Sequence, residues 1–151
     1  MGDPAGVGPE LCLRALSAPL VLEQCAPQIF GDASVLRRVA DALKISFAGR
    51  VISLADWKPG KSPNEPLVVD CGAIEGAAVL PGKISAACGG AAFSYIKASI
   101  GAALAGQISG VVTAPIHKEA LRLAGVPYPG HTEIFAALTG AKRACMMLTR
   151  F

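Results

Sequence analysis

The sequence predicts an α/β fold with a parallel β-sheet. Apolar residues make up 52% of the 151 residues, charged residues make up 17%, and the mean hydropathy is +0.49. Short apolar runs alternate with helical patterns along the chain, and a parallel sheet that is covered on both faces is built from such runs. An uncovered interface of an incomplete protein would raise the hydropathy in the same way. We expect both effects to contribute here.

The composition excludes several classes of function. The net charge of +3 comes from scattered Lys and Arg residues without interleaved aromatic residues, so nucleic-acid binding is not expected. The five cysteines show neither a CxxC pair nor a zinc-binding spacing, which favours small buried thiols in a reducing compartment. The first residues lack the basic flank and the apolar run of a signal peptide. We therefore expect a cytoplasmic protein.

Residues 98–116 contain no charged residue and have about the length of a membrane span. Several glycines and Pro115 divide this stretch into the end of a helix, a turn and a strand, and a spanning helix needs no such divisions. No association with a membrane is expected.

The chain opens with a Gly/Pro-rich loop, residues 1–10, that leads into a helix. Pro9 suits the first helical position, and the glycines would let backbone amides approach an anion or a cofactor closely. The dinucleotide-binding fingerprint lacks its third glycine. Asp3 is either a ligand-facing carboxylate or, more simply, the side chain that closes the Asp-Pro turn. Because such a loop normally follows a strand, we expect that a first strand is not represented.

Apolar runs predict five strands, at residues 27–31, 50–54, 67–70, 110–114 and 144–149. Asp32 is predicted to cap a helix over residues 33–43, and Ser85 is predicted to cap the longest helix, which continues to Gln107. Within that helix, the adjacent Gly89 and Gly90 indicate either close packing against another segment or a soft first turn, and close packing is favoured, within the chain or across a subunit interface.

Both histidines lie in a region of loops that follows the strand predicted at residues 110–114. His117 and Lys118 stand at the start of a helix predicted over residues 118–124. For His117, the role of a helix-start polar group is favoured over that of a ligand or a base. A solvated lysine is favoured for Lys118 over contact with a phosphate or a carboxylate.

His131 has the strongest indication of a binding role. It follows Gly130 and precedes Thr132, which is predicted to cap the next helix, with Glu133 in its first turn. Backbone N–H groups, a hydroxyl and an imidazole can converge there on one anion. Two histidines do not make a three-histidine metal site, and the sequence has no nucleophile elbow, Walker A motif or Cys-His pair.

Three motifs occur in a fixed order: GDPAGVGPE at residues 2–10, TAPIHKEA at 113–120 and GHTE at 130–133, with GKIS at 82–85 between the first two. Together they resemble the PdxA family of 4-hydroxythreonine-4-phosphate dehydrogenases, and the similarity spans essentially the whole chain. The resemblance implies an α/β/α layered fold like that of isocitrate and isopropylmalate dehydrogenases, with two lobes, a cleft and a homodimer. Residues 1–151 would be an N-terminal part of that fold, with about 110–151 in the cleft-forming region.

The resemblance also implies NAD-dependent oxidation and decarboxylation of 4-phosphohydroxy-L-threonine to 3-amino-2-oxopropyl phosphate, in the biosynthesis of pyridoxal phosphate (vitamin B6). A divalent metal ion, Zn, Mg or Co, would polarise the substrate oxygens. His131 and Thr132 correspond to the family's substrate-contacting His-Thr pair. The family's metal ligands are expected beyond Phe151, and no NAD-contacting residue is assigned. The chain alone is therefore expected to be inactive or nearly so, and to fold poorly or associate.

Two alternatives remain open from the sequence. One is a paralogous dehydrogenase that acts on 4-phospho-threonate or 4-phospho-erythronate. The other is a non-catalytic module that binds a phosphorylated ligand through His131 and Thr132. A purely structural role is the least favoured, because polar Gly/Pro-rich loops are unusual in a scaffold.

Overall fold

A computed structural model describes residues 1–58 and 65–149 of the chain. The helices in these residues are α1 (Gly8–Ala15), α2 (Pro19–Leu22), α3 (Ala33–Leu43), α4 (Ala86–Leu104), α5 (Lys118–Leu123) and α6 (His131–Thr139). The strands are β1 (Gln28–Gly31), β2 (Arg50–Ser53) and β3 (Leu67–Asp70), and a 3-10 turn occupies Gly76–Ala78. The Pro/Gly-containing composition predicts a surface loop over residues 59–66, and its residues 59–64 lie outside the described residues.

The three strands form a parallel sheet in the order β1-β3-β2. The central strand β3 is buried on both faces: Val68 packs against α1 and α3, whereas Leu67 and Val69 pack on the side of α4. Helices therefore cover both faces of the sheet, which confirms the α/β fold and the three strands predicted at residues 27–31, 50–54 and 67–70. A sheet covered in this way accounts for the high apolar content.

The strands predicted at residues 110–114 and 144–149 are wrong, because neither stretch forms a strand. Val112 is 98% exposed, and the tail at Met146–Leu148 is 71% to 86% exposed. A strand requires a hydrogen-bonded neighbour. Within residues 1–58 and 65–149, β1, β2 and β3 pair only with one another, so these two apolar stretches have no ladder to join.

Asp32 precedes α3 as predicted, but its side chain does not cap that helix. Its carboxylate instead accepts hydrogen bonds from the backbone N–H groups of Ala73 at 2.8 Å and Ile74 at 2.9 Å, and from the hydroxyl of Tyr95. The start of α3 thereby holds the loop after β3 and one residue of α4. Three donors on one carboxylate compensate for its complete burial.

Ser85 caps α4 as predicted, with its Oγ accepting from the backbone N–H of Cys88 at 3.2 Å. The helix ends at Leu104, three residues earlier than expected, because Gly106 turns the chain with a φ of +68°. None of the helices in the described part of the chain has the length and apolar character needed to cross a membrane.

The close packing predicted at Gly89 is confirmed, and it occurs within the chain. A Cβ on Gly89 would lie 2.0 Å from the carbonyl oxygen of Ala120, so α4 contacts α5 there with no room for a side chain. Gly90 has no such constraint, since its nearest neighbour would be the Cβ of Ala124 at 4.0 Å.

The cysteines are all free thiols, but they are not all buried as expected. Cys12 and Cys88 are buried and Cys71 is half-buried, whereas Cys25 and Cys145 are exposed. Burial raises the pKa of Cys71 to about 12, which keeps it a neutral thiol.

Candidate functional site

A cavity of about 470 Å³ lies beside β1, and we call it the β1 cavity. It is lined by residues 27–30, by residues 110–115 and by residues of α1 and α4. The lining is mostly apolar. The polar side chains in it are few, namely those of Cys12, Cys25, Gln28, Tyr95, Ser99, Thr113 and His131.

The opening loop is hydrogen-bonded to residues that line the β1 cavity. The backbone N–H of Asp3 donates to the carbonyl of Pro115 at 2.9 Å. Gly2 has a φ of +75°, and a Cβ there would lie 2.4 Å from that same carbonyl oxygen. The first three residues and the stretch before α5 are therefore held against each other.

The expected role of the opening glycines in approaching a ligand is not supported at two of the three positions. Gly2 makes room for Pro115, and Gly8 makes room for the carbonyl of Met1, which would lie 2.2 Å from an added Cβ. Both glycines thus serve the chain's own backbone. Pro9 is the second residue of α1 rather than the first.

Asp3 closes the turn, as the simpler interpretation had it. Its side chain is buried, and Oδ1 accepts from the backbone N–H of Ala5 at 2.8 Å, while its carbonyl accepts from Gly6 at 3.0 Å. These contacts orient the carboxylate into the loop.

The helix after the second loop begins one residue earlier than predicted. The N-cap of α6 is Gly130, and His131 is the first helical residue, so Thr132 lies in the first turn and is not the cap. The backbone of Gly130 is fully extended, with φ of −176° and ψ of −172°, and it has no side chain with which to cap the helix. The first N–H groups of α6 are therefore not satisfied by a capping side chain, which is the arrangement that suits an anion.

His131 lines the β1 cavity and is half-buried. Burial lowers the pKa of its imidazole below the ordinary value, and the nearby ammonium group of Met1 lowers it further. Both effects disfavour the imidazolium, so His131 is neutral at pH 7 and can donate from one ring nitrogen and accept at the other. Thr132 follows it and is also half-buried.

Lys118 also lies near the start of α6. It is the first residue of α5, and a Cβ on Gly130 would lie 3.9 Å from the Cε of Lys118 and 3.4 Å from a carboxylate oxygen of Glu133. The exposed lysine thus reaches the start of α6. The structure brings together Lys118, His131 and Thr132, whereas the carboxylate of Asp3 is engaged in its own turn.

His117 has the structural role that the sequence favoured. It is the N-cap of α5, and its Nδ1 accepts from the backbone N–H of Ala120 at 3.4 Å.

Sequence reasoning missed Tyr95, which lines the cavity from α4 and donates its hydroxyl to Asp32. Burial and the hydrogen bond to Asp32 raise the pKa of Tyr95 far above its ordinary value, so the hydroxyl keeps its proton. The only indication of this role in the sequence was the presence of a polar aromatic residue in a helix of otherwise mainly small and apolar side chains.

A metal site does not form in the described residues, which contain no group of three or more His, Cys, Asp or Glu side chains that could hold an ion.

Residues 23–150 match the family model described as pyridoxal phosphate biosynthetic protein PdxA. A relative from Desulfosudis oleivorans named 4-hydroxythreonine-4-phosphate dehydrogenase is 39% identical over 158 residues, which cover 98% of this chain and 43% of the relative. A Symbiobacterium thermophilum protein, provisionally named D-threonate 4-phosphate dehydrogenase, is also 39% identical and is matched over 93% of this chain and 42% of its own length.

Solved structures agree. The crystal structure of a 4-hydroxythreonine-4-phosphate dehydrogenase from Burkholderia phymatum superposes with a TM-score of 0.80 at 35% identity, covering 95% of this chain and 43% of that one. The enzyme of the same name from Klebsiella pneumoniae gives 0.78 at 38% identity, with 93% and 42% covered. The chain spans less than half the length of these relatives, and its helices and parallel sheet are those of their isocitrate dehydrogenase-like fold. The chain belongs to the PdxA family.

Proposed function

We propose that this chain supplies part of the substrate site of an NAD-dependent dehydrogenase for 4-phosphohydroxy-L-threonine. The reaction would transfer a hydride from the secondary alcohol to NAD and release a proton. The β-keto acid that results would lose CO2 to give 3-amino-2-oxopropyl phosphate, a precursor in pyridoxal phosphate biosynthesis. The observation that carries the proposal is that Lys118 reaches the uncapped start of α6, where His131 and Thr132 lie in the first turn.

The geometry suits a phosphorylated substrate. Backbone N–H groups at the start of α6 and the hydroxyl of Thr132 donate to anionic oxygens, and the ammonium group of Lys118 adds a positive charge nearby. The imidazole of His131 adds a hydrogen-bond donor. Because the imidazole is neutral, contact with the substrate does not require the desolvation of a charge on it. These residues would hold and orient the substrate.

The cofactors in this proposal are NAD and a divalent ion, Zn, Mg or Co. The ion would stabilise negative charge on the substrate oxygens. The described residues offer no set of ligands for it, so its ligands are proposed to lie beyond Phe151. No residue is assigned to NAD, because Gly2 and Gly8 of the opening loop are occupied by the chain's own backbone. A cytoplasmic homodimer with residues 110–151 in the cleft region completes the proposal.

A second candidate is a dehydrogenase for D-threonate 4-phosphate or an erythronate phosphate. The relative from Symbiobacterium thermophilum supports this second candidate, and the relative from Desulfosudis oleivorans supports the first. Both relatives are 39% identical to the chain, so sequence identity does not decide between the two substrates. The two kinds of substrate differ in one group: 4-phosphohydroxy-L-threonine carries an amino group where the threonate and erythronate phosphates carry a hydroxyl group. A site that hydrogen-bonds one of these groups can reject the other strongly.

The first test is NADH formation by the purified chain with NAD, a divalent metal ion and either 4-phosphohydroxy-L-threonine or D-threonate 4-phosphate, with a chelator control. We expect a flat trace from the 151-residue chain and chelator-sensitive turnover of one substrate from the same coding sequence extended downstream. Chelator-sensitive turnover by the short chain would contradict the placement of the metal ligands beyond Phe151.

The second test is binding of both substrates by calorimetry, without NAD or metal. His131→Ala and Thr132→Val should each weaken binding by roughly tenfold, because each removes a hydrogen bond to a charged group. The matched control is His117→Asn, which changes the other histidine but keeps a side chain that can cap α5. Equal affinity in all four proteins would contradict the site. Tight binding that needs neither NAD nor metal, combined with an extended protein that has no activity, would favour the non-catalytic binding module.

A further inference from the structure

The side chain of Glu133 lies at the start of α6, where the proposed function places a phosphate group. Glu133 is the third residue of the helix, and a Cβ on Gly130 would lie 3.4 Å from its Oε2. The Cε of Lys118 would lie 3.9 Å from the same point. A negative and a positive side chain therefore both reach one side of the residue that precedes the helix.

The carboxylate of Glu133 is not engaged in an ion pair with a neighbouring side chain. In the described residues, the ion pairs within 4.0 Å are Arg14–Glu10, Arg50–Glu65 and Arg122–Glu119. A glutamate at the third position of a helix is favourable, because its charge interacts with the first backbone N–H groups and with the positive end of the helix dipole. In the empty protein, the carboxylate of Glu133 thus supplies the negative charge that a phosphate would supply in a complex.

A bound phosphate and this carboxylate would repel each other. Both are negatively charged at neutral pH, and both are attracted to the first N–H groups of α6 and to the ammonium group of Lys118. A phosphate therefore gains these donors only by displacing the carboxylate from Gly130, which uses part of its binding free energy. Because Glu133 is exposed, its carboxylate can turn outward into water without disturbing the core.

We propose that Glu133 is an internal competitor for the phosphate site at the start of α6, and that it sets how tightly phosphorylated ligands bind there. This inference rests on the proposed function, because it takes the start of α6 as the site of the phosphate group. Inorganic phosphate makes no contacts beyond this site, so the competition leaves its binding weak. A phosphorylated substrate has further groups, and their contacts offset the cost of displacing the carboxylate.

The test is a titration of the chain with inorganic phosphate at constant ionic strength, followed by the NMR signals of the backbone amides of His131 and Thr132. Both amides lie in the first turn of α6, so their signals report binding at that place. Glu133→Gln should lower the dissociation constant of phosphate by roughly three- to tenfold, because it removes a like charge close to the anion.

The matched control is Glu119→Gln, which makes the same change of charge in α5, one residue from Lys118. The carboxylate of Glu119 is already paired with Arg122, whose Nη2 lies 2.6 Å from its Oε1. Its removal should therefore change the dissociation constant of phosphate by less than about twofold. Circular dichroism and urea unfolding check that both variants are folded like the parent chain.

Equal affinity for phosphate in the parent chain and in Glu133→Gln would overturn the proposal and leave the phosphate site at α6 intact. Equal tightening by Glu133→Gln and Glu119→Gln would also overturn it, since a general effect of net charge would then account for both. If the amide signals of His131 and Thr132 respond to phosphate in none of the three proteins, both this proposal and the placement of the phosphate group in the proposed function are wrong.

Discussion

At the residue scale, the environment of His131 makes the stability of the protein depend on pH. Because the pKa of His131 is lowered by burial and by the Met1 ammonium group, the unfolded chain binds more protons than the folded chain just below the ordinary histidine pKa of about 6.5. Protonation therefore favours unfolding, and this contribution to stability is lost as the pH falls from about 7 towards the lowered pKa.

We expect His131→Gln to remove part of the loss of stability between about pH 7 and pH 5. Urea unfolding at several pH values measures this, and His117→Asn is the control because it removes the other histidine while a capping side chain remains at the start of α5. A difference between His131→Gln and the parent chain that stays constant from pH 8 to pH 5 would contradict the assignment.

Tyr95 and Asp32 provide a second prediction at this scale. Tyr95→Phe removes one of the three hydrogen bonds to the buried Asp32 carboxylate, so the free energy of unfolding should fall by about 1–3 kcal/mol. Tyr128→Phe is the matched control, since Tyr128 is only half-buried and packs against Phe93 through its ring. If the two variants lose the same stability in urea unfolding, the hydroxyl of Tyr95 does not support the carboxylate.

At the scale of elements, the contact between α4 and α5 sets the position of the candidate site. Gly89 brings α4 against the backbone of Ala120, and α5 carries Lys118 at its start. The position of that lysine near Gly130 therefore depends on a glycine some distance from it along the chain.

Gly89→Ala should lower the free energy of unfolding by about 1–3 kcal/mol, because the added Cβ must push α5 away. Gly101→Ala is made in the same helix, where a Cβ would meet nothing within 4 Å, and it should raise stability by about 0.5–1 kcal/mol. Thermal or urea unfolding of both variants measures the difference. Equal stabilisation by the two alanines would show that α4 and α5 do not approach closely at Gly89.

At the scale of the whole molecule, the described chain leaves long apolar stretches uncovered. Met146, Met147 and Leu148 are 71%, 84% and 86% exposed, and Val112 is 98% exposed. Exposed apolar stretches that are not paired in a sheet favour association.

We expect the purified chain to associate as its concentration rises, and Met147→Glu to reduce this association. Thr149→Glu adds the same charge to the same exposed segment without removing an apolar side chain, so it should reduce association less. Sedimentation velocity over a range of concentrations measures both variants, and urea unfolding should show changes within about 0.5 kcal/mol for each. A parent chain that stays monomeric at all concentrations and melts cooperatively would contradict the expectation.

Local patterns in the sequence predicted much of the fold. The β-strand at Leu67–Asp70 and the helix begun by Ser85 depend on an apolar run and on a capping side chain, both of which act between near neighbours. The runs at residues 110–114 and 144–149 have the same apolar character but form no strand. Whether an apolar run becomes a strand depends on a partner, and the run itself carries no information about the partner.

The sequence by itself determined the α/β class, the bounds of α3, the start of α5, the PdxA motifs and the helix-start role of His117, because each depends on residues within one or two turns of each other. The tertiary structure decided what these residues contact. Gly2 and Gly8 accommodate the chain's own carbonyl groups, Asp32 holds Tyr95 from 63 positions away, and Lys118 reaches Gly130. Such contacts join segments that are far apart in the chain, and they are set by how helices and strands pack, which no local pattern specifies.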